Sequence, residues 1–550
     1  MAPPARARRP LSRLAAGAAA ALLLLAGCTD AGPAQGGDGA SDGGAPTGAA
    51  ASDGGASAAG DDGPALQAVD ASAAADLPGD PAEDPAYATY YDQQIEWGSC
   101  EDVYAEGVEC GTLTVPLAWN DPGAGDIDLA VARVKASGES QGSLVTNPGG
   151  PGLSGVNALD GLMYSISPAV TASYDVVGFD SRGVYRSEGI TCLDDKDLDK
   201  YLSGTAEPSS EGTDDEPVDW AARAAEACEA NSGDILPYLD TLSTARDMDV
   251  LRAALGEDQL DYLGYSYGTY LGSSYAELYP DRVGRFVLDG AVDPTLTRQQ
   301  FGAGQAEGFE RATEAFLADC LDAGSSCPFH GTEEEAKQQL LDLLAGIDAE
   351  PLSTTSVDRE LTGAIARSAV LSLMYDDGQW ELGREALTAA ADGDGSLLLD
   401  YSDRSNERGF DGTYRTNSAF AMTAVSCLDR PGLADAQQAA EEAEQIAEKY
   451  PTFGPVLGGD ACAEWPVPPL REPAPITAKG AGPIVVIGTT GDPATPYAWA
   501  QNLSAQLDDA VLLTFEGNGH TAYGRSGGCI EKQVDTFLLE GIVPEDGMTC

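Results

Sequence analysis

Three side chains in this sequence have the types that nucleophilic acyl chemistry needs, namely Ser266, Asp492 and His520. Ser266 is the centre of Gly-Tyr-Ser-Tyr-Gly at 264–268, which matches the pattern of a serine on a sharp turn between a strand and a helix. A serine hydroxyl attacks a carbonyl only when a base removes its proton, and histidine is the usual base. A carboxylate orients that histidine and stabilises its charge. The three residues therefore predict a catalytic triad.

The surroundings of Ser266 distinguish it from other serines in the same pattern. Ser41, Ser140 and Ser526 also lie between glycines at this spacing, because the chain contains 66 glycines. Only Ser266 follows an apolar strand pattern, at 260–263, and precedes a helical one. That order of elements lifts a hydroxyl clear of a sheet, so Ser266 is the predicted nucleophile.

The predicted base and its acidic partner each follow a strand. His520 comes after the strand pattern at 511–515, and Asp492 comes after the one at 483–488 through a Gly-Asp-Pro turn. The carboxyl ends of parallel strands meet at one edge of a sheet, where active sites form. The other histidine, His330, lies in a predicted helical region and is interpreted as structural or exposed.

A negatively charged reaction intermediate needs backbone N–H donors that are already in place. One predicted donor is the amide of Tyr267, the residue after the nucleophile. The other is Gly150, in the loop Asn-Pro-Gly-Gly-Pro-Gly at 147–152. Glycines let the backbone approach a substrate closely.

The same loop offers an alternative from another functional class. Residues 150–155 form a G-x-G-x-x-G pattern and Asp180 ends the next strand, as in a dinucleotide site. Three observations count against a dinucleotide site. The prolines of the loop lack N–H donors, a full triad is present, and the N-terminal pattern described below predicts export away from the cofactor pool. We therefore predict no cofactor.

The elements that must position these residues alternate between strand and helix. Such alternation predicts an α/β fold, a mainly parallel sheet with helices on both faces. Residues 295–470 have mostly amphipathic helical patterns, which predict a helical lid inserted into the sheet domain. The predicted core then has a first part at 87–294 and a C-terminal part at 471–550.

The N-terminus has the pattern of a lipoprotein export signal. An Arg-rich start precedes an apolar run and Leu-Ala-Gly-Cys at 25–28. We expect residues 1–28 to be a signal peptide and Cys28 to take the lipid. Residues 29–86 are rich in Gly, Ala, Ser and Asp and are predicted to be a disordered tether. The protein would be anchored to the outer face of the cytoplasmic membrane, or released into the medium.

Charge and cysteine content limit the partners. The chain has 30 basic and 89 acidic side chains, a formal net charge of −59, which repels nucleic acid and anionic headgroups. We expect membrane contact only through the lipid, and a monomer. Apart from Cys28, ten cysteines remain for five disulfides in an oxidising compartment. Neighbours paired in order are favoured over other connectivities: Cys100, Cys110, Cys192, Cys228, Cys320, Cys327, Cys427, Cys462, Cys529 and Cys550.

A metal site is not predicted. Cys320, Cys327 and His330 lie close in sequence, but they lack a C-x-x-C step and a second histidine. A structural disulfide explains the two cysteines better.

These motifs together resemble the tripeptidyl-aminopeptidase family, exported bacterial serine peptidases of the α/β-hydrolase fold. The resemblance covers roughly residues 90–550. It rests on N-P-G-G-P-G at 147–152, F-D-x-R-G at 179–183, G-x-S-Y-G-T-Y-L-G at 264–272, G-D-x-x-T-P at 491–496 and G-x-G-H at 517–520. The chain is also similar to proline iminopeptidases, whose loop opens with His where this chain has Asn147.

The resemblance implies release of short peptides from free N-termini, with a lid that limits entry. The substrate would be a peptide whose free α-amine is bound by carboxylates under the lid. Asp180 and Arg182 match the D-x-R-G of the family, and we interpret them as structural residues that hold their loop by an ion pair. The alternative is a carboxylesterase that uses the same triad on cell-envelope or small acyl esters. A third hypothesis is a binding lipoprotein that retains the fold without activity.

Overall fold

A single sheet of ten strands positions the predicted site residues. The computed structural model describes residues 77 and 79–550, except 101–102, 104–106, 205–217, 357 and 434. Its strands, in sheet order, are β1 (Gly98–Ser99), β2 (Val108–Ala118), β3 (Asp121–Val134), β5 (Asp175–Phe179), β4 (Ser143–Asn147), β6 (Leu260–Tyr265), β7 (Val283–Asp289), β8 (Ile484–Gly491), β9 (Ala510–Asn518) and β10 (Met548–Thr549).

The strands from β5 to β10 pair in parallel, and β1, β2 and β3 form an antiparallel edge. Adjacent residues of one strand enter different hydrophobic cores. Tyr262 of β6 and Phe286 of β7 lie in one core, whereas Leu263 and Val287 lie in another. Because successive side chains of a strand point to opposite faces, the sheet is covered on both sides. The predicted α/β architecture is confirmed.

Helices cover the sheet and fill the segment between β7 and β8. The α-helices are α1 (Ala88–Tyr91), α2 (Gly155–Ser165), α3 (Pro168–Thr171), α4 (Asp195–Ser203), α5 (Trp220–Ser232), α6 (Thr241–Leu255), α7 (Tyr267–Leu278), α8 (Arg298–Asp322), α9 (Glu333–Ala349), α10 (Gly363–Leu373), α11 (Trp380–Ala391), α12 (Ser396–Ser405), α13 (Ser418–Asp429), α14 (Ala436–Lys449), α15 (Gly454–Leu457), α16 (Tyr497–Gln506) and α17 (Cys529–Glu540). In the described part of the chain, none of them is long and apolar enough to cross a bilayer.

The insertion, defined here as residues 298–457, contains helices α8 to α15 and has a hydrophobic core of its own. Phe309, Phe316 and Leu340 are buried there, apart from the two cores of the sheet. Capping boxes begin its first two helices. Thr297 accepts the N–H of Gln300 and begins α8 in a capping box, and Thr332 does the same for α9.

The folded part begins earlier than the sequence predicts. Residues of the predicted tether form short 3-10 helices at Pro81–Glu83 and Pro85–Tyr87, Pro81 is buried, and Asp80 pairs with Arg282. The boundary at residue 86 is therefore wrong, because a few aspartates and prolines supply caps and turns without aromatic residues. The predicted leader with Cys28 and most of the tether lie outside the described residues.

Five disulfides join the ten cysteines in chain order. The pairs are Cys100–Cys110, Cys192–Cys228, Cys320–Cys327, Cys427–Cys462 and Cys529–Cys550. His330, which follows the third pair, is exposed. Among the described residues, no group of three or more His, Cys, Asp or Glu side chains is arranged to hold a metal ion.

Candidate active site

Ser266 lies on a strained turn between β6 and α7. Its φ of 55° and ψ of −124° place a non-glycine residue in the left-handed half of the map. The turn is held by its backbone N–H, which donates to the Asp289 carbonyl at 2.9 Å. A Cβ at Gly264 would lie 2.5 Å from the Gly268 carbonyl, and one at Gly268 would lie 2.8 Å from the Asn147 carbonyl. Both flanking positions therefore require glycine.

The other serines of the same pattern have ordinary surroundings. Ser140 is exposed and bonds within its own turn, and the Ser526 hydroxyl donates to Glu531 at 2.5 Å. Ser41 lies outside the described residues. Within the described chain, Ser266 is the one that connects a parallel strand to a helix, as its sequence context predicts.

His520 and Asp492 are in direct contact. The His520 Nδ1 lies 2.9 Å from both Asp492 carboxylate oxygens, and Asp492 is only 1% exposed. The carboxylate also accepts the backbone N–H groups of Ala494, Thr495 and Thr521 at 2.8–3.1 Å. Four hydrogen bonds fix its orientation. With a carboxylate at Nδ1, the neutral imidazole carries its proton there and leaves Nε2 as a base.

The structure does not form a hydrogen bond between Ser266 and His520. The His520 Nε2 is buried and has no hydrogen-bond partner among the described residues. The two residues are nevertheless neighbours through β7. Asp289 accepts from Ser266, and a Cβ on the next residue, Gly290, would lie 3.1 Å from His520 Cε1. Catalytic hydrogen bonds are often long in free enzymes and tighten when substrate binds.

The predicted N–H donors lie beside Ser266. Gly150 and Tyr267 line the same cavity as the serine, and Tyr267 is the first residue of α7, where helix N–H groups are unpaired. The Gly149 N–H already donates to Asn147 Oδ1 at 2.9 Å, which favours Gly150 as the second donor. A Cβ at Gly149 would approach the Ser266 Cβ to 2.9 Å, so the loop can pass this close only as glycine.

Asp180 and Arg182 do not pair with each other, which corrects the sequence prediction. Asp180 accepts the Ser154 hydroxyl at 2.5 Å and the Val156 N–H at 3.1 Å, at the start of α2. Arg182 instead makes two bonds of 2.6 and 2.7 Å to Asp247 of α6, and both side chains are fully buried. The long-range partner was invisible in the sequence.

The Asp180 carboxylate is buried and already hydrogen-bonded to Ser154 and Val156, so it is not free to bind the ribose of a dinucleotide. Burial raises its pKa, against the hydrogen bonds from Ser154 and Val156. A Cβ at Gly155 would lie 2.2 Å from the Phe179 carbonyl, so this glycine serves close packing of α2 on β5. The G-x-G-x-x-G pattern thus has a structural explanation.

Asp289 is a site residue that sequence reasoning missed. Its buried carboxylate accepts the N–H groups of Ala522 and Tyr523, two and three residues after His520, at 2.7–3.1 Å. Burial raises the pKa of Asp289 to about 6, and the backbone donors oppose that shift. Its position at the end of β7 was the only available signal, in a chain with 89 acids.

The insertion supplies further contacts to the histidine loop. The Tyr375 carbonyl accepts the His520 N–H, and its ring meets the imidazole edge-on with centroids 5.5 Å apart. Arg525 donates to the carbonyls of Asn518 and Thr521 and to Asp377 of the insertion at 2.7–3.0 Å. Sequence patterns do not indicate which insertion residues fold back onto the core.

The cavity at Ser266 is small and lies between the core and the insertion. It offers about 60 Å³ to the centres of water-sized molecules, several times what one water needs. Its wall includes Gly150, Pro151, Ser266, Tyr267, Val292, Arg298, Phe301, Gly302, Gln305, Met422, Ser426, Arg430, Leu457, Gly459 and Thr495. None of these described wall residues is acidic and two are arginines, so carboxylates that bind an α-amine are not part of this wall.

A larger cavity, of about 360 Å³, lies on the antiparallel side of the sheet. It is lined by Cys110, Val131 and Tyr185 among others, and Cys110 is in a disulfide. Ser266 lines the smaller cavity and not this one, so the smaller cavity is the one relevant to acyl chemistry.

Comparison with known proteins agrees with this geometry. The family model described as alpha/beta hydrolase fold matches residues 142–322, which include the 147–152 loop and Ser266. The model described as TAP-like protein matches residues 450–550, which include Asp492 and His520. Tripeptidyl aminopeptidase of Streptomyces lividans is 33% identical over 475 residues, which cover 83% of this chain and 86% of the relative. The chain belongs to the tripeptidyl-aminopeptidase family.

Other relatives of this chain carry different names. Serine protease Hip1 of Mycobacterium tuberculosis is 35% identical over 482 residues, 83% of this chain and 91% of the relative. Carboxylesterase B of the same species is 34% identical over 471 residues, 83% of this chain and 90% of the relative. The resemblance seen in the motifs is confirmed, and the chain is a serine hydrolase of the α/β-hydrolase fold.

Proposed function

We propose that this protein is an exported serine peptidase that releases short peptides from free N-termini through an acyl-enzyme on Ser266. The observation that carries the proposal is the strained turn at Ser266 beside the His520–Asp492 pair, in a chain related to a tripeptidyl aminopeptidase and a serine protease. In this fold, acyl transfer takes place at a nucleophile that a strained turn lifts above the end of a strand.

In the first half-reaction, His520 Nε2 takes the Ser266 proton as the hydroxyl attacks the scissile carbonyl carbon. The carbonyl oxygen gains the electron pair of the C=O π-bond, and the N–H groups of Gly150 and Tyr267 stabilise it. The C–N bond then breaks, and the imidazolium gives its proton to the leaving amine. Asp492 stabilises the imidazolium and, when the ring is neutral, keeps its proton on Nδ1.

In the second half-reaction, water replaces the leaving amine. His520 takes a proton from the water as its oxygen attacks the acyl ester, and Ser266 recovers its proton when the ester bond breaks. The acid product leaves, and the enzyme returns to its starting state.

A carboxylesterase is the second candidate, because a relative of that name is 34% identical over 471 residues. Both activities use the same acyl-enzyme, so the substrate must decide between them. We expect free-amine peptide anilides to be turned over with a higher kcat/KM than short nitrophenyl esters. Ser266→Ala should abolish both activities, and N-acetylation should slow peptide cleavage at least tenfold. Equal rates on blocked and free peptides would contradict the aminopeptidase proposal.

We also propose that the protein is exported and lipid-anchored through Cys28. The support is the signal pattern at 1–28 and the five disulfides, which persist in oxidising compartments. Replacement of Cys28 by alanine should release active protein into the medium. Membrane retention equal to that of the unmodified chain would rule out the anchor.

A further inference from the structure

Two arginines lie in the wall of the cavity at Ser266, and their environments differ. Arg298, at the start of α8, makes an ion pair with Asp460 at 2.9 Å, so its charge is balanced. Desolvation lowers its pKa, and the charge of Arg430 acts in the same direction. The two cations therefore lie near enough to repel each other.

Arg430 has no such partner. The residue is 8% exposed, its Nη2 is buried without a hydrogen-bond partner, and no described carboxylate lies within ion-pair distance of it. The preceding residue, Asp429, is already engaged by Thr241 and Arg471. Burying an unpaired charge is costly, so a group that arrives with the opposite charge would relieve a penalty present in the free protein.

Aromatic rings hold the Arg430 guanidinium in position. Its central carbon lies 4.7 Å from the centroid of Phe301 and 5.0 Å from that of Tyr270. Such cation–π contacts orient the plane of the guanidinium but leave its edge nitrogens available for hydrogen bonds. A guanidinium held this way can bind a carboxylate with two parallel bonds.

The same wall contains an unused acceptor. Gln305 Oε1 is buried without a hydrogen-bond partner, whereas its Nε2 donates to the Ala494 carbonyl at 3.1 Å. The amide is thereby fixed with its oxygen as an acceptor. A substrate that brings a carboxylate to Arg430 and an N–H group to Gln305 would satisfy both buried atoms, which a peptide segment can do.

We propose that Arg430 binds a carboxylate of the substrate close to the scissile bond. The inference rests on the proposed peptidase function and specifies its substrates, namely peptides with an acidic side chain near the cleaved bond or a terminal carboxylate there. The small cavity has room for one such group rather than for a whole peptide. A lysine side chain or a free α-amine is disfavoured in it, because the uncompensated charge in its wall, that of Arg430, is positive.

The test compares substrates that differ in one charge. Free-amine peptide anilides carry Glu, Gln or Lys at each of the three positions before the anilide, and unblocked tetrapeptides are compared with their C-terminal amides. We expect at least a tenfold higher kcat/KM for the acidic member in one of these sets. The first set detects a side-chain carboxylate and the second a terminal one. If the wild type shows no preference for the acidic member in any set, the proposal is overturned.

Variants assign the preference to Arg430. Arg430→Gln should abolish the preference, and Arg430→Lys should keep part of it because the charge remains. The matched control is Arg223→Gln, since Arg223 also lies over an aromatic ring, Trp220, but outside the cavity wall. It should leave the preference unchanged. Labelling of Ser266 by a neutral fluorophosphonate shows that each variant is folded. A preference that survives in folded Arg430→Gln contradicts the proposal.

A pair of esters separates this inference from the proposed function. If esters are cleaved but no peptide is, the peptidase proposal fails. The carboxylate site is then tested on its own by comparing the nitrophenyl monoester of adipic acid, which carries a carboxylate, with the uncharged nitrophenyl hexanoate. A tenfold preference for the charged ester that Arg430→Gln removes supports the carboxylate site on its own. Equal rates on the two esters, with no peptide cleaved, overturn both proposals.

Discussion

The backbone N–H of His520 donates to the carbonyl oxygen of Tyr375 at 2.8 Å. Tyr375 follows α10 of the insertion, whereas His520 follows β9 of the sheet domain. The insertion therefore does more than cover the cavity, because it helps to fix the residue that is proposed to move protons. Arg525 strengthens this connection through Asp377, on the same turn of the insertion.

Removal of the Arg525 guanidinium should loosen the His520 loop. It donates to the carbonyls of Asn518 and Thr521, on either side of the histidine. Arg525→Ala removes this donor from both, although the Thr521 carbonyl keeps its bond from the Thr489 hydroxyl. We expect kcat to fall about tenfold, with KM changed less, as for a misplaced catalytic group. The control is Arg404→Ala, an exposed arginine of the insertion paired only with Asp400. Steady-state kinetics with an unchanged kcat for Arg525→Ala would contradict this role.

Gly290 leaves room for the imidazole. A Cβ there would lie 3.1 Å from His520 Cε1 and 3.0 Å from Thr521 Cγ2, and its φ is +70°. Gly290→Ala should lower kcat at least tenfold and destabilise the fold by about 1–2 kcal/mol.

Gly256→Ala is the matched control for that variant. Gly256 has a φ of +82° but nothing within 4 Å of an added Cβ. The Gly256→Ala variant should lose about as much stability in thermal unfolding as Gly290→Ala does, but its kcat should be normal. If both variants retain kcat, contact with His520 is not the reason for glycine at 290.

The Asp289 carboxyl should give the protein a distinctive pH dependence. Its pKa is raised to about 6 in the folded state, against an ordinary value of 3.8. As pH rises, the folded protein therefore keeps this proton to a higher pH than the unfolded chain does. The stability that the protonated Asp289 contributes is fully present below about pH 4 and is lost as pH rises through 6. In Asp289→Asn this titration is absent. The difference in unfolding free energy between wild type and variant should change by at most about 3 kcal/mol between pH 4 and 7.

Denaturant titrations at several pH values measure that difference. The wild type should lose stability relative to Asp289→Asn as pH rises, whatever the other acids do, since they are common to both proteins. A constant difference from pH 4 to 7 would show that the Asp289 pKa is not raised.

The Cys427–Cys462 disulfide should support substrate binding. Cys427 lies on α13, three residues before Arg430, and Cys462 lies two residues after Asp460, the partner of Arg298. Replacing both cysteines by serine should raise KM for peptides severalfold, while fluorophosphonate labelling of Ser266 continues.

The disulfide Cys320–Cys327 provides the comparison. Both of its cysteines lie in the insertion, and neither is next to a residue of the cavity wall in the sequence, whereas Cys427 directly follows Ser426 of that wall. Its removal should cost about 2–4 kcal/mol of stability without changing KM. Equal KM values for the two double variants would show that the first disulfide acts only on stability.

Much of the fold could be predicted because the signals were local. The apolar runs of β6, β8 and β9 and the amphipathic pattern of α9 lie where the sequence places them, although most ends differ by a few residues. The same holds for Ser266, since its glycines and its position between strand and helix are sequence features. Asp492 and His520 could be predicted because both follow apolar strand patterns in the sequence.

The contacts that were missed depend on distant parts of the chain meeting. Arg182 pairs with Asp247, 65 residues later, and not with Asp180 beside it. Tyr375 and Arg430 belong to the insertion, and the periodicity of its sequence does not predict how it packs onto the core. Among 89 acids, composition could not single out Asp289, and only its burial at a strand end reveals it.

The ion pair between Asp80 and Arg282 determines where the chain enters the fold. Arg282 directly precedes the first residue of β7, and the last residue of that strand, Asp289, holds the loop that carries His520. The strand is about 20 Å long, so the point of entry and the reactive edge lie at opposite poles of the sheet. A lipid at Cys28 would therefore be joined to the pole of the sheet that is opposite to the reactive edge, so the attachment of the chain does not obstruct the approach of a polypeptide.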